Sequence, residues 1–294
     1  MKVRNLLFGA IVAMLPMAIA SCDKEKEETT PSTSVDVTKV VGTYEGYTLA
    51  SSAYFQNNFT ADESLTVAVS EAKSGNTVDI TFASGTWGTT TITGATVSAN
   101  GSRYSVSGTG TCLMAGMGGQ ERSYDCSLTA DIASTTDATV TVNLPAVMGG
   151  TNVVFKTGKA STGYYVADKY RGDIDVSVNG SSQLTINDTV MTLNAKEGDK
   201  VDIVTPEMGL SMGAQQMSVP STTFENIAVT TADFRTFTIA QQPVSITVGS
   251  TNWTGTVEGT VADGVLNLTF VVTPGAMPMP ITITFATIGI KVKH

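Results

Sequence analysis

Few residues of this sequence could carry out catalysis. The single histidine is His294, the last residue, so catalytic triads and zinc sites that need imidazole lack their ligands. The carboxylates of Asp62 and Glu63 are adjacent, and neighbours along a strand point to opposite faces of a sheet. The sequence therefore predicts a protein that is not an enzyme and holds no metal or cofactor. A hydrolase with a carboxylate pair from distant residues stays open, but no local motif selects the pair.

The thiol of Cys22 is the clearest candidate for a chemical modification. Lys2 and Arg4 precede an uncharged apolar run from Leu6 to Ala20, which is typical of a secretory signal and shorter than the ~20 residues of a membrane span. The run ends in Ile19-Ala20-Ser21-Cys22, which resembles the lipobox of bacterial lipoproteins. We expect a signal peptide over 1–21, cleavage before Cys22 and acylation of Cys22, which would anchor the protein to a membrane.

The segment after Cys22 is polar and acidic. A run from Asp23 to Glu28 contains four acidic residues, and a stretch rich in Thr, Ser and Pro follows, which predicts a flexible tether over 22–38. The acidic run resembles the surface-export signal of Bacteroidetes lipoproteins, which implies an outer-membrane lipoprotein exposed at the cell surface. The chain has a net charge of −9 and a pI near 4.6, so nucleic acid is not an expected partner.

Two further cysteines lie close together in the sequence. Cys112 and Cys126 flank a predicted hairpin, and export would expose them to an oxidising compartment. We expect a cross-strand disulfide, which would contribute ~3 kcal/mol by closing a loop of this size. The alternative is a pair of buried free cysteines.

The body of the chain alternates apolar and polar residues with the period of β-strands. The first half contains eight predicted strands, at Gly42–Leu49, Ser64–Ser70, Thr77–Ala83, Thr89–Val97, Arg103–Thr109, Tyr124–Ile132, Thr139–Leu144 and Asn152–Thr157. Eight short strands indicate a sandwich or an up-and-down barrel. We expect an all-β protein with two tandem eight-stranded antiparallel up-and-down barrels.

The second half repeats the order of the first. Five blocks correspond: Thr43–Gly46 with Lys169–Gly172, Thr77–Thr81 with Lys200–Val204, Ile92–Val97 with Phe224–Val229, Asp137–Val142 with Asp263–Leu268, and Val153–Phe155 with the strand ending at Phe285. Five blocks in one order indicate a tandem duplication. We place barrel 1 at 39–160 and barrel 2 at 161–294.

The connections differ between the two ends of each predicted barrel. In a meander, the connections after odd-numbered strands lie at one end, the odd end, and those after even-numbered strands lie at the even end. Nearly all even-end connections are short and polar. The odd-end connections are longer and apolar, apart from the largely polar Asn179–Asn187, and include Pro243–Ile246 and Glu207–Met212. Most methionines outside the signal peptide lie in these odd-end segments.

This methionine-rich rim is the candidate ligand site, because thioether side chains suit adaptable apolar contacts and barrels bind ligands through one mouth. The candidates are Tyr54, Phe55, Trp87, Met114, Met117, Met148, Met208, Met212, Met217, Met277 and Met279. The alternative is that the loops plug the barrel ends or pack rim to rim. Tyr44 and Tyr170, which begin the two units, could stack on a ring, but we expect them to be core residues.

Together these features resemble the calycin-like, or lipocalin-like, domain of Bacteroidetes secreted lipoproteins. The resemblance rests on the lipobox with its acidic follower, on the opening Gly42-Thr43-Tyr44-Glu45-Gly46 and on the eight-strand unit. It covers about 38–159, and then 164 to the end, where Asp168-Lys169 replaces Val41-Gly42. It implies small antiparallel barrels and names no ligand.

The sequence thus predicts a membrane-tethered extracytoplasmic binding module, with a small apolar or glycan-like ligand at the rim. The alternative is a structural or interaction lipoprotein of the cell envelope, with solid barrels and other envelope lipoproteins as partners.

Overall fold

The computed structural model describes residues 35–73, 75–116, 119–212, 215–275 and 279–288, with the side chains of 210–212 and 215–217 excepted. Cys22, the signal peptide and the tether up to residue 34 lie outside the described residues. Within them, no helix is long and apolar enough to span a membrane.

The first eight strands form a closed antiparallel barrel in which each strand pairs with the next and β8 pairs with β1. They are β1 (Gly42–Ser51), β2 (Asn58–Val69), β3 (Thr77–Ser84), β4 (Gly88–Asn100), β5 (Arg103–Ala115), β6 (Glu121–Ser134), β7 (Asp137–Leu144) and β8 (Thr151–Thr157). A 3₁₀ helix, Val37–Lys39, precedes β1. All eight predicted strands are present, and several are longer than expected.

The second barrel follows a five-residue helix, α1 (Thr162–Val166). Its strands are β9 (Asp168–Val178), β10 (Ser181–Lys196), β11 (Lys200–Thr205), β14 (Thr222–Ala228), β15 (Thr230–Thr231), β16 (Thr236–Val248), β17 (Thr251–Ala262), β18 (Val265–Pro274) and β19 (Ile281–Thr287). β12 (Met208–Met212) and β13 (Gln215–Val219) form a separate hairpin. The predicted all-β tandem of antiparallel barrels is confirmed.

The second barrel closes through one interrupted strand. β14 pairs with β11 and β15 pairs with β16, so the two edges of the nine-stranded sheet belong to one stretch of chain. At the interruption, the side-chain amide of Gln242 accepts a hydrogen bond from Ala228 N (2.9 Å) and donates one to Ala228 O (3.0 Å). These two side-chain hydrogen bonds take the place of backbone hydrogen bonds at the interruption. The second barrel is therefore nearly closed.

Large apolar side chains fill both interiors. Tyr44, Phe82 and Phe155 are fully buried in barrel 1, and Trp253, Phe270 and Phe285 are fully buried in barrel 2. Tyr44 and Tyr170 both lie in the cores.

Three predicted odd-end connections of barrel 2 are wrong. Asn179–Asn187 lies mostly inside β10, which begins at Ser181. Pro243–Ile246 lies inside β16, and the connection that follows is Gly249–Ser250. Pro243 is tolerated because β15 pairs with β16 only at Phe237 and Thr238, so the missing N–H of Pro243 removes no bond to that strand. Residues 207–217, expected as a loop, mostly form the β12–β13 hairpin.

Candidate functional site

Three apolar side chains close the odd end of barrel 1. Phe55 comes from the β1–β2 connection, Trp87 from the β3–β4 connection and Val147 from the β7–β8 connection, and all three pack against the core. The rings of Phe55 and Trp87 stack with their centroids 5.7 Å apart. Trp87 N donates a hydrogen bond to Ser84 Oγ (2.9 Å), and Cys112 Sγ donates to Trp87 O (3.2 Å). Trp87 is therefore held as a plug, as the alternative interpretation of the rim supposes.

Two rim candidates remain exposed above this plug. Tyr54 is 79% exposed and Met148 is 56% exposed. Their loops lie side by side, because a Cβ atom placed on Gly149 would lie 3.6 Å from the Tyr54 ring. Met148 has a φ of +46°, a conformation that is uncommon for a side chain of this size. The odd end of barrel 1 thus presents an exposed aromatic side chain and an exposed thioether on adjoining loops.

A buried carboxyl group lies beneath the plug. Glu63 is 4% exposed and lies opposite Gly46 on β1, where no side chain competes for the interior. Ser84 Oγ donates to Glu63 Oε1 at 3.1 Å, so Ser84 connects Glu63 to Trp87. Burial raises the pKa of Glu63, an effect that the Ser84 hydrogen bond partly opposes.

A bulge lies just before Glu63 in β2. The pairing of β1 with β2 shifts register between Gly46 and Thr48, and Asp62 has a φ of +55°. Asp62 therefore turns outward, where its carboxylate pairs with Lys159 Nζ at 2.5 Å. We did not identify Glu63 as a site residue from the sequence. The sequence signal that could have identified it is spacing: Glu63 lies two residues before Leu65 and four before Val67, so all three side chains point to the same buried face.

Cys112 and Cys126 lie on the neighbouring strands β5 and β6. Both are buried and both are free in the structure, so the expected disulfide is not formed here. Cys126 lies opposite Gly110, whereas Cys112 lies opposite Tyr124, which offsets the two thiols diagonally. Burial raises the pKa of both thiols, to about 11 for Cys126.

The odd end of barrel 2 is closed by different residues. Met208 and Val219, a pair at the base of the β12–β13 hairpin, are buried in the core. The position of Glu63 is taken by Thr189, which lies opposite Gly172 as Glu63 lies opposite Gly46. At this position barrel 1 therefore has a buried carboxyl group, whereas barrel 2 has the hydroxyl group of Thr189.

The structure does not gather the rim candidates into one methionine surface. Met114 lies in β5 and packs against the core of barrel 1, and Met208 is buried in barrel 2. Met279 is half-exposed, and its Sδ accepts a hydrogen bond from Asn179 Nδ2 at 3.0 Å. Met212 and Met217 are described only as backbone of the hairpin, and Met117 and Met277 lie outside the described residues.

Two open hollows lie elsewhere on the surface. One, of about 430 Å³, lies beside Thr111, Asp125 and Pro145 on barrel 1. The other, of about 540 Å³, lies where the segment that joins the barrels meets barrel 2, and is lined by residues that include Lys159, Asp199 and Phe234. No group of three or more His, Cys, Asp or Glu residues that could hold a metal occurs in the described part of the chain.

Comparison with known proteins fits this architecture. A solved structure of a candidate outer membrane protein from Bacteroides fragilis NCTC 9343 is 26% identical and superposes with a TM-score of 0.72, covering 86% of this chain and 99% of its own. No curated protein matches the chain significantly. The family model for the calycin-like beta-barrel domain matches residues 40–158 and again residues 166–287. Since these two matches include most of the sequence, the chain belongs to the calycin-like β-barrel domain family.

Proposed function

We propose that this protein is a membrane-tethered extracytoplasmic binding module that takes a small apolar or glycan-like ligand at the odd end of barrel 1. The observation that carries the proposal is the exposed pair Tyr54 and Met148 above the stacked rings of Phe55 and Trp87. Exposed apolar groups grouped at one end of a soluble domain are typical of an interaction site.

The described chain begins at the end of barrel 1 opposite the proposed binding site. Val35, the first described residue, donates its N–H to Asn76 Oδ1 at 3.0 Å, and Asn76 lies in the β2–β3 connection at the even end. A tether that begins at an acylated Cys22 would thus join barrel 1 at the end opposite Tyr54. The likeness to a candidate outer membrane protein supports a location in the cell envelope.

The second candidate function is a structural or interaction lipoprotein with solid barrels. The filled interiors favour it, because the largest side chains of both cores are fully buried. The two functions differ in whether a small molecule binds at the odd end.

Binding of an environment-sensitive apolar dye tests the proposed function. We expect the double variant Tyr54→Ala with Met148→Asp to lose most of the dye fluorescence. Val69→Asp is the matched control, because Val69 is 51% exposed but lies at the even end of barrel 1. Undiminished dye binding by the folded double variant would overturn the proposal and favour the interaction lipoprotein.

The membrane anchor has its own test. Cys22→Ser removes the only thiol that the lipobox offers for acylation, so we expect the variant to leave the membrane fraction. Retention of Cys22→Ser in that fraction would show that another feature anchors the protein.

A further inference from the structure

Three buried polar atoms at the odd end of barrel 1 lack a hydrogen-bond partner. They are Thr48 Oγ1, Glu63 Oε2 and Trp87 Nε1. All three belong to one neighbourhood: Ser84 joins Glu63 to Trp87 through hydrogen bonds, and Thr48 faces inward two residues beyond Gly46, the partner of Glu63. Buried polar groups in proteins are almost always paired with protein, water or ligand, so this group of three is unusual.

Barrel 2 shows that the fold does not require these polar groups. Thr48 lies opposite Phe155 in barrel 1, and Ile174 lies opposite Phe285 at the same position in barrel 2. Ile174 is fully buried. An apolar residue therefore serves at that position of the second copy, while the first copy keeps a hydroxyl there.

The three groups define the kind of ligand that would pair with them. Indole N–H only donates, a hydroxyl both donates and accepts, and a carboxyl oxygen accepts when ionised. An alkyl chain would leave all three unpaired, which is unfavourable in a buried site. A sugar offers hydroxyls that donate and accept, and its C–H face can pack on an aromatic ring such as Trp87.

We propose that the odd end of barrel 1 recognises a hydroxyl-rich ligand of the sugar class, with Glu63, Thr48 and Trp87 as its hydrogen-bonding groups. This inference rests on the proposed function and narrows it from an apolar or glycan-like ligand to a glycan-like one. Binding requires the Trp87 ring to move away from Phe55, because Trp87 is 5% exposed and its ring stacks on that of Phe55. The indole of Trp87 is consequently a direct reporter of binding.

The test follows the indole N–H resonances of the two tryptophans in the ¹⁵N-labelled full mature chain. The probes are D-glucose, D-galactose and glycerol, each to about 0.1 M, which would saturate even a site with a Kd near 10 mM. We expect at least one of the sugars to shift the Trp87 resonance saturably, and the Trp253 resonance in barrel 2 to stay in place. Trp87→Phe assigns the two signals.

Variants separate recognition from a general effect on the barrel. Glu63→Gln and Thr48→Val should each raise the Kd obtained from the saturable Trp87 shift at least about tenfold. Thr48→Val keeps the test valid if Glu63→Gln fails to fold. Thr189→Val, at the position of Glu63 in barrel 2, is the matched control and should leave the Trp87 shift and its Kd unchanged. A shift that survives both barrel 1 variants would overturn the inference.

The dye experiment distinguishes this inference from the function on which it rests. If the dye binds at the odd end but no probe shifts Trp87, the hydroxyl-rich ligand is wrong and the binding module stands. If the dye binding does not depend on Tyr54 and Met148 and no probe shifts Trp87, both proposals fail.

Discussion

Tyr44 donates its hydroxyl hydrogen to the backbone carbonyl of Val40 at 2.6 Å, inside barrel 1. The duplicated unit repeats this contact, because Tyr170 donates to the carbonyl of Val166 at 2.7 Å. Each bond joins the first strand of a barrel to the segment just before it, and both tyrosines are buried. The two residues are therefore structural, and neither is available for a ligand.

Removing either hydroxyl should destabilise its own barrel. Tyr44→Phe and Tyr170→Phe each leave a buried carbonyl without its partner, so we expect each to lower the free energy of unfolding by about 1–3 kcal/mol. The effects should add in the double variant, since the sites share no partner. Urea unfolding measures all three, and a non-additive double variant would show that the two barrels are coupled through these bonds.

A second repeated feature is a glycine packed against a phenylalanine. A Cβ atom on Gly46 would lie 2.0 Å from Lys156 O and 2.9 Å from Phe155 Cζ, and one on Gly172 would lie 2.2 Å from Ala286 O and 2.7 Å from Phe285 Cζ. We expect Gly46→Ala and Gly172→Ala to lower stability by about 2–4 kcal/mol, because the backbone carbonyls cannot move aside freely. Thermal unfolding gives the measurement.

Gly85→Ala is the matched control for these two variants. A Cβ atom on Gly85 would contact nothing within 4 Å, so its stability should change by less than about 0.5 kcal/mol. Equal effects at Gly85 and Gly46 would mean that backbone entropy, and not the close packing, determines the loss.

The repeats were predictable where they carry a local pattern. The block around Asp79 recurs around Asp202, and in the structure each aspartate accepts a hydrogen bond at a bulge, from Gly94 N at 2.7 Å and from Asn226 N at 2.9 Å. Both donors have a positive φ. A glycine and an asparagine at matching positions are what such a conformation favours.

Other features could not be predicted, because alternation does not determine them. Val140 lies opposite Phe155 and Leu268 lies opposite Phe285, so these two residues correspond, and our alignment of Val142 with Leu268 is wrong by two positions. A shift of two leaves every side chain on the same face. In the same way, the predicted strand begins at Ser64 and leaves Glu63 outside it, although Glu63 lies within β2 on the face that Leu65 and Val67 bury.

The state of Cys112 and Cys126 can be decided by labelling. As free thiols with pKa values raised by burial, they should react slowly with a thiol reagent at pH 8 in the native protein, because the thiolate is the reactive form. Unfolding in urea should expose both in a Cys22→Ser chain. If no thiol reacts after unfolding without a reductant, the exported protein carries the disulfide that its compartment favours.

Stability should fall as pH rises through the pKa of Glu63. Because burial raises this pKa above its ordinary value of 4.5, the folded state binds the proton more tightly than the unfolded chain. The resulting stabilisation is complete below pH 4.5 and is lost as pH rises through the raised pKa. Thermal unfolding of the wild type and of Glu63→Gln across this range should show, in the wild type, an additional loss of stability that the variant lacks. A parallel pH dependence of the two proteins would contradict the assignment to Glu63.

The contact between the barrels depends on aromatic packing more than on charge. Tyr165 in α1 lies edge-on to Phe59 of β2, with the ring centroids 4.9 Å apart, and its centroid lies 5.0 Å from that of Phe234. The nearby pair of Lys159 and Asp62 is 52% and 76% exposed, and exposed ion pairs contribute about 0–1 kcal/mol. We therefore expect Tyr165→Ala to lower stability by about 2–3 kcal/mol and Lys159→Ala by less than about 1 kcal/mol. Urea unfolding compares them, and a larger loss in Lys159→Ala would show that the ion pair, with its position over the Phe234 ring, holds the barrels together.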